Sequence, residues 1–192
     1  MAAHTQDDGG ARRGNRWRPL IWGAAGVALL LPLAAMRWFP ASGVEWTRSD
    51  FAVMGALLFA ACAAYELAAW LSASRAYRAA AGIAIATGFL TVWVNLAVGM
   101  IGDEGNPWNL LFVGVLGVGL VGALVARLRA GGMARAMLAV ALAQAAVAVL
   151  ALVAGADPRG AMFALGFAVP WLLSAVLFGK ATRAAVRADA RS

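Results

Sequence analysis

The chain has 192 residues, 63% of them apolar and 13% charged, with a net charge of +7 at neutral pH and a single cysteine. A soluble domain sits near half apolar and a quarter charged, so this composition excludes an ordinary soluble globule and points to a membrane. The basic balance needs no nucleic acid: the charges cluster between long uncharged runs, and a basic face beside anionic lipid accounts for them.

Residues 1–18, ending "ARRGNRWR", have no apolar face to bury and read as a disordered cytoplasmic tail. Six apolar stretches follow, at 19–39, 51–73, 79–101, 109–128, 134–154 and 161–179. A run of about 20 such residues, rising ~1.5 Å each, spans the roughly 30 Å hydrocarbon core. The expected fold is therefore all-α and integral to a membrane. About six transmembrane helices form one bundle over 19–179, followed by a basic cytoplasmic tail over 180–192. The first stretch follows "RWR" and could be a cleavable signal peptide. It is longer than the usual apolar region of about 7–15 residues, and "LAAM" is a poor cleavage site, so the expectation is that it stays. Both termini are then cytoplasmic.

The connections carry start and stop chemistry. Thr47 with Asp50 reads as a capping box. Asn106-Pro107 and Asp157-Pro158 each read as an N-cap followed by proline in the first turn. Gly131 and Gly155 stand where helix C-caps are expected. "WVNLAVGMIGDEGNPWN" (93–109) thus reads mainly as the turn between two spans.

With the N-terminus inside, Arg12, Arg13, Arg16, Arg18, Arg75, Arg78, Arg127, Arg129, Arg135, Lys180, Arg183, Arg187 and Arg191 fall on the cytoplasmic side. Only Arg37, Arg48 and Arg159 of the 16 cations fall outside, as the positive-inside rule requires. Trp17, Trp38, Trp46 and Trp108 sit at the expected interfaces, as in an aromatic belt.

The only histidine is His4, so haem ligation by paired histidines and the usual zinc and copper centres are excluded, and no cofactor is expected. There is no P-loop, nucleophile elbow or Cys-x-x-Cys, and Ser174 has no basic partner at membrane depth. Cys62 can form no intramolecular disulfide.

Glu66 stands out, because an acid at membrane depth is expensive. It could relay protons or hold a cation. The plainer reading pairs it with Arg78, Arg127 or Arg129 near the cytoplasmic interface. Thr87, Thr91, Asn95 and Gly99 recur every fourth residue and form a stripe on the third span. Such a stripe can line a pathway, but small and polar residues more commonly serve as glue between helices. Gln144 in mid-span needs a partner, which the stripe or a kink at Pro170 could supply. Gly119 with Ala123 and Ala139 with Ala143 read as close-packing pairs, in a fourth span also rich in Gly114, Gly117 and Gly122. On the outer face, Asp50, Asp103 and Glu104, with Glu45 and Asp157, could hold a calcium ion, though capping explains at least two of them.

A weak parallel repeat pairs 50–89 with 109–146, matching Gly55 to Gly114, Arg78 to Arg135 and Thr87 to Gln144. "VWVNLAVGMIGDEGNPWNLLFVGVLGVGLVGALVARL", "GMARAMLAVALAQAAVAVLAL" and "DFAVMGALLFAACAAYELA" together resemble a group of small bacterial multi-pass inner-membrane proteins with no assigned activity. The resemblance covers about residues 44–153 and implies location in a bacterial inner membrane, not mechanism. The leading functional expectation is a non-enzymatic accessory or assembly component that packs against itself or other membrane proteins. The alternative is a small-solute or proton pathway using Glu66 and the Thr87-Thr91-Asn95 stripe.

Overall fold

The computed structural model describes residues 18–190. His4, Arg12, Arg13, Arg16, Trp17, Arg191 and the disorder expected of the N-terminal tail lie outside them.

The described residues form helices and no strand: α1 (Arg18–Trp38), α2 (Arg48–Leu71), α3 (Arg75–Ala97), α4 (Leu111–Val125), α5 (Ala130–Val153), α6 (Pro158–Gly166) and α7 (Ala168–Asp189). Six segments are long and apolar enough to cross a membrane, with α6 and α7 together making the sixth. α7 continues to Asp189, into the stretch read as the basic tail.

The caps decide where helices begin. Thr47 and Asp50 close the expected capping box on α2, each side chain bonding the other residue's backbone N–H at 3.3 and 2.7 Å. Asn106 caps a short 3-10 turn, Pro107–Leu110, that leads into α4. Asp157 caps α6. Gly155 turns the chain after α5 at φ +73°, and Ala156 N–H reaches back to Ala151 O at 2.9 Å.

Gly131 is a correction. It lies in the first turn of α5, and α4 ends instead on Arg127 (φ 46°) and Leu128 (φ 57°). Left-handed backbone costs a non-glycine residue roughly 1–2 kcal/mol. Two bonds hold it here: Leu128 N–H to Ala123 O at 3.2 Å, and Tyr77 O–H to Leu128 O at 2.7 Å from α3.

The sixth segment also differs from expectation. Its helix breaks at Phe167, between α6 and α7, rather than at Pro170. The physical cause is the same: proline has no N–H for the carbonyl four residues earlier, and its ring disfavours the preceding turn.

α7 lies between α3 and α5. α5 also packs on α4 and α6, α2 lies against α3, and α1 packs on α2. The core is built largely from alanine, with Ala80, Ala136, Ala148, Ala151, Ala161 and Ala164 buried around Phe112, Trp171 and Phe178. Small side chains let the helix axes approach, which multiplies dispersion contacts between them. A Cβ at Gly122 would stand 2.7 Å from Ala136 Cβ, and one at Gly119 would stand 3.3 Å from Val140 Cγ2. Gly119 and Gly122 on α4 thus meet Ala136 and Val140 on α5. The expected Ala139–Ala143 face is corrected, because Ala139 points outward and is exposed.

The loops sort to two ends. Tyr77–Leu128 and Arg18–Glu66 join the arginine-rich end, while Gly102–Asp157 and Trp46–Trp93 join the other.

Candidate functional site

Glu66 has an arginine partner, but not one of those expected. Arg18 Nε, at the start of α1, stands 3.4 Å from Glu66 Oε1. The contact lacks hydrogen-bond geometry, so Oε1 accepts no bond although it is shielded from solvent. Arg78 is engaged elsewhere: its Nε and Nη2 donate to Ser72 O at 2.7 Å and Ala69 O at 2.8 Å. It satisfies carbonyls that the end of α2 leaves without intrahelical partners. No Arg127 or Arg129 contact to Glu66 occurs among the described residues. The missed partner was legible only as the last arginine before the first span.

The polar stripe is corrected in its chemistry. Thr87 Oγ1 donates to Ile83 O at 2.7 Å, Thr91 Oγ1 to Thr87 O at 2.8 Å, and Asn95 Nδ2 to Thr91 O at 2.7 Å. Each bond returns to the same helix four residues back, so none of the three joins helices through its donor. This is the usual local competition of short polar side chains for backbone carbonyls. Gly99 leaves the stripe altogether, lying beyond the end of α3. Asn95 Oδ1 is buried without a partner. Thr87 lines a groove of about 460 Å³ between α3 and the α6–α7 break, with Leu90, Phe163, Gly166, Phe167 and Pro170.

The bonds between helices come from other residues. Gln144 Nε2 donates to Ala164 O at 2.9 Å, the carbonyl at the broken end of α6, as the kink expectation allowed. Met100 Sδ lies 3.7 Å from the same nitrogen. Ser174 Oγ on α7 donates to Ala80 O on α3 at 2.9 Å, both fully buried. Gln144 and Thr87, matched by the repeat, therefore act differently, as do Arg78 and the exposed Arg135.

Asn109 is the residue that sequence reading missed. It is buried at the far end, where Oδ1 accepts from Met100 N–H at 3.0 Å and Ile101 N–H at 2.9 Å, and Nδ2 donates to Asp103 O at 2.7 Å. One side chain thus closes the 98–106 loop over the bundle. Gly99 is needed there: its φ is +76°, and a Cβ would collide with Asp103 O. Asp157 ties the same loop to α6. Its Oδ2 accepts from Gly160 N–H at 2.9 Å and Gly102 N–H at 3.4 Å, and its Oδ1 from Arg159 N–H at 3.2 Å. The Gly160 amide above all holds this carboxyl below the usual carboxylate range; burial opposes it, and the Arg159 and Gly102 amides with the Arg159 charge add to the lowering. The only signal for Asn109 was a third asparagine behind Asn106-Pro107.

The acids expected on the outer face are spread out. Asp50 is committed to its capping box, while Asp103 and Glu104 stand exposed in the loop. Among the described residues no three His, Cys, Asp or Glu side chains gather to hold a metal ion. Compared with protein-family models, with curated proteins and with solved structures, the chain finds no match.

Proposed function

We propose that the chain is a multi-pass integral protein of a bacterial inner membrane, with both termini in the cytoplasm, acting without enzymatic chemistry as an accessory or assembly component through helix packing. The exterior supports the membrane reading: large apolar side chains such as Val125, Leu142, Val153 and Val169 are more than half exposed on α4, α5 and α7. The alternation of loops between a basic and a less basic end supports the orientation. The resemblance to small bacterial membrane proteins supports the location.

One observation carries the packing role. The donors of Thr87, Thr91, Asn95, Gln144 and Ser174 are all given to helix carbonyls, and Glu66 and Asn95 lie at opposite ends of α2–α3, roughly 20 Å apart along the axis at ~1.5 Å per residue. They cannot share one ion, and between them stand Thr87 and Thr91, whose hydroxyl protons are already donated. Gly114 and Gly117 add an outward surface, since a Cβ at either would meet nothing within 4 Å. Bare helix backbone of this kind is where a second helix approaches closely in a bilayer.

Proteoliposomes carrying a pH gradient test the choice. Wild type and Glu66→Gln should both leak no faster than empty vesicles; a wild-type leak abolished by Glu66→Gln would establish the pathway instead. Reporter fusions after Ser42 and after Arg129 test the topology and should report opposite sides.

A further inference from the structure

The outer ends of α2 and α3 enclose a groove of about 390 Å³, lined by Trp46, Asp50, Val53, Leu57, Trp93 and Leu96. The two indoles form a corner, their ring centroids 5.7 Å apart and their planes inclined at 47°. Phe51 braces Trp46 edge-on at 5.1 Å, and Phe89 supports Trp93 at 6.0 Å. Asp50 stands exposed at the mouth. Its Oδ2 takes both the Thr47 N–H at 2.7 Å and the Thr47 O–H at 2.8 Å. Among the described residues nothing donates to Oδ1, and no arginine or lysine comes within ion-pair distance of it. From Asp50 the groove descends α2 past Val53 to Leu57, roughly 10 Å deeper at ~1.5 Å per residue. Val53 and Leu96 stay 47% and 62% exposed along its open side.

We propose that this groove binds the alkylammonium headgroup and the upper acyl chain of a zwitterionic phospholipid. Indole faces attract an ammonium through the ring quadrupole, most strongly when water is partly excluded. Asp50 Oδ1 supplies the counter-charge. A soluble ammonium would use only the mouth, whereas the apolar wall below it and its open side match a chain lying along the helices. The polar end faces the outer interface and the apolar end faces depth, the order a lipid presents. This inference rests on the membrane reading above.

The test is native mass spectrometry of the full chain in detergent, with an ethanolamine phospholipid and a phosphatidylglycerol of matched chains at equal concentration. Wild type should retain the ethanolamine lipid at least about fivefold over the glycerol lipid, within the range of a partly desolvated cation–π contact. Asp50→Asn, which keeps an oxygen for the cap, and Trp93→Ala should bring that preference close to one, with Trp93→Phe intermediate. Unchanged melting of Asp50→Asn in detergent shows that its fold is intact. Equal retention of both lipids by wild type, or an undiminished preference in Asp50→Asn, overturns the proposal. Displacement of the ethanolamine lipid by free choline overturns the lipid assignment in favour of a soluble organic ammonium. Carbonate extraction of the full chain separates the two readings: release from the membrane sinks the membrane reading itself, while a retained chain without lipid preference sinks this inference alone.

Discussion

α1 and the α3–α5–α7 core contrast in how they are held. α1 buries no residue and meets α2 through the Arg18–Glu66 ion pair and an edge contact of Trp22 with Phe59 at 5.6 Å. The core is joined by Gln144 to Ala164, Ser174 to Ala80 and Tyr77 to Leu128, and sealed at one end by Asn109. In sequence α1 is no less apolar than α3, which lies in the core. Apolarity alone, then, does not fix a helix to its neighbours; directional bonds and small-residue contacts do that.

The sharpest way to break this contrast is Asn109→Ala. It leaves two buried backbone N–H groups without a partner, each costing about 1–3 kcal/mol. Unfolding in mixed detergent should show about 3 kcal/mol lost, and proteolysis should open the 98–106 loop first. A smaller effect is expected from Gln144→Leu. Ala164 O keeps its bond from Phe167 N–H at 3.1 Å, and the substitution also removes Gln144 Oε1, which is buried without a partner. The loss should stay near 1 kcal/mol in the same assay, in line with interhelical hydrogen bonds in membranes.

Arg18→Ala probes the other side of the comparison. The arginine side chain is 67% exposed, so solvent screens the pair and the stability change should stay below about 0.5 kcal/mol. Distances between spin labels on α1 and α2 should nevertheless broaden, because little else restrains that end. A distribution as narrow as wild type would show that α1 is fixed by packing after all.

Asp157 sharpens the picture through pH. Its carboxyl is held below the usual range by the Gly160, Arg159 and Gly102 amides. A depressed carboxyl contributes stability that is fully present above its unfolded pKa of about 3.9 and is lost as pH falls toward its folded value. Thermal melting in detergent should therefore be insensitive to this group above about pH 5 and decline below about pH 4, with a shallower decline in Asp157→Asn.

What the chain's own residues determined is the helical class and the number and rough extent of the long apolar helices, because apolar runs and cap residues act locally. Thr47-Asp50, Asn106-Pro107 and Asp157-Pro158 needed no distant partner, so they were legible. Which arginine meets Glu66, why Arg127 and Leu128 turn left-handed instead of Gly131, and why Asn109 governs a loop were settled only when distant segments came together. Tyr77 reaches Leu128 from 51 residues away, and Ser174 reaches Ala80 from 94. The threonine stripe shows the same limit: a period of four places side chains on one face, but whether they bond a neighbour or their own helix depends on how close that neighbour comes. In an alanine-rich bundle that distance is set by which small faces meet, and period alone does not encode it.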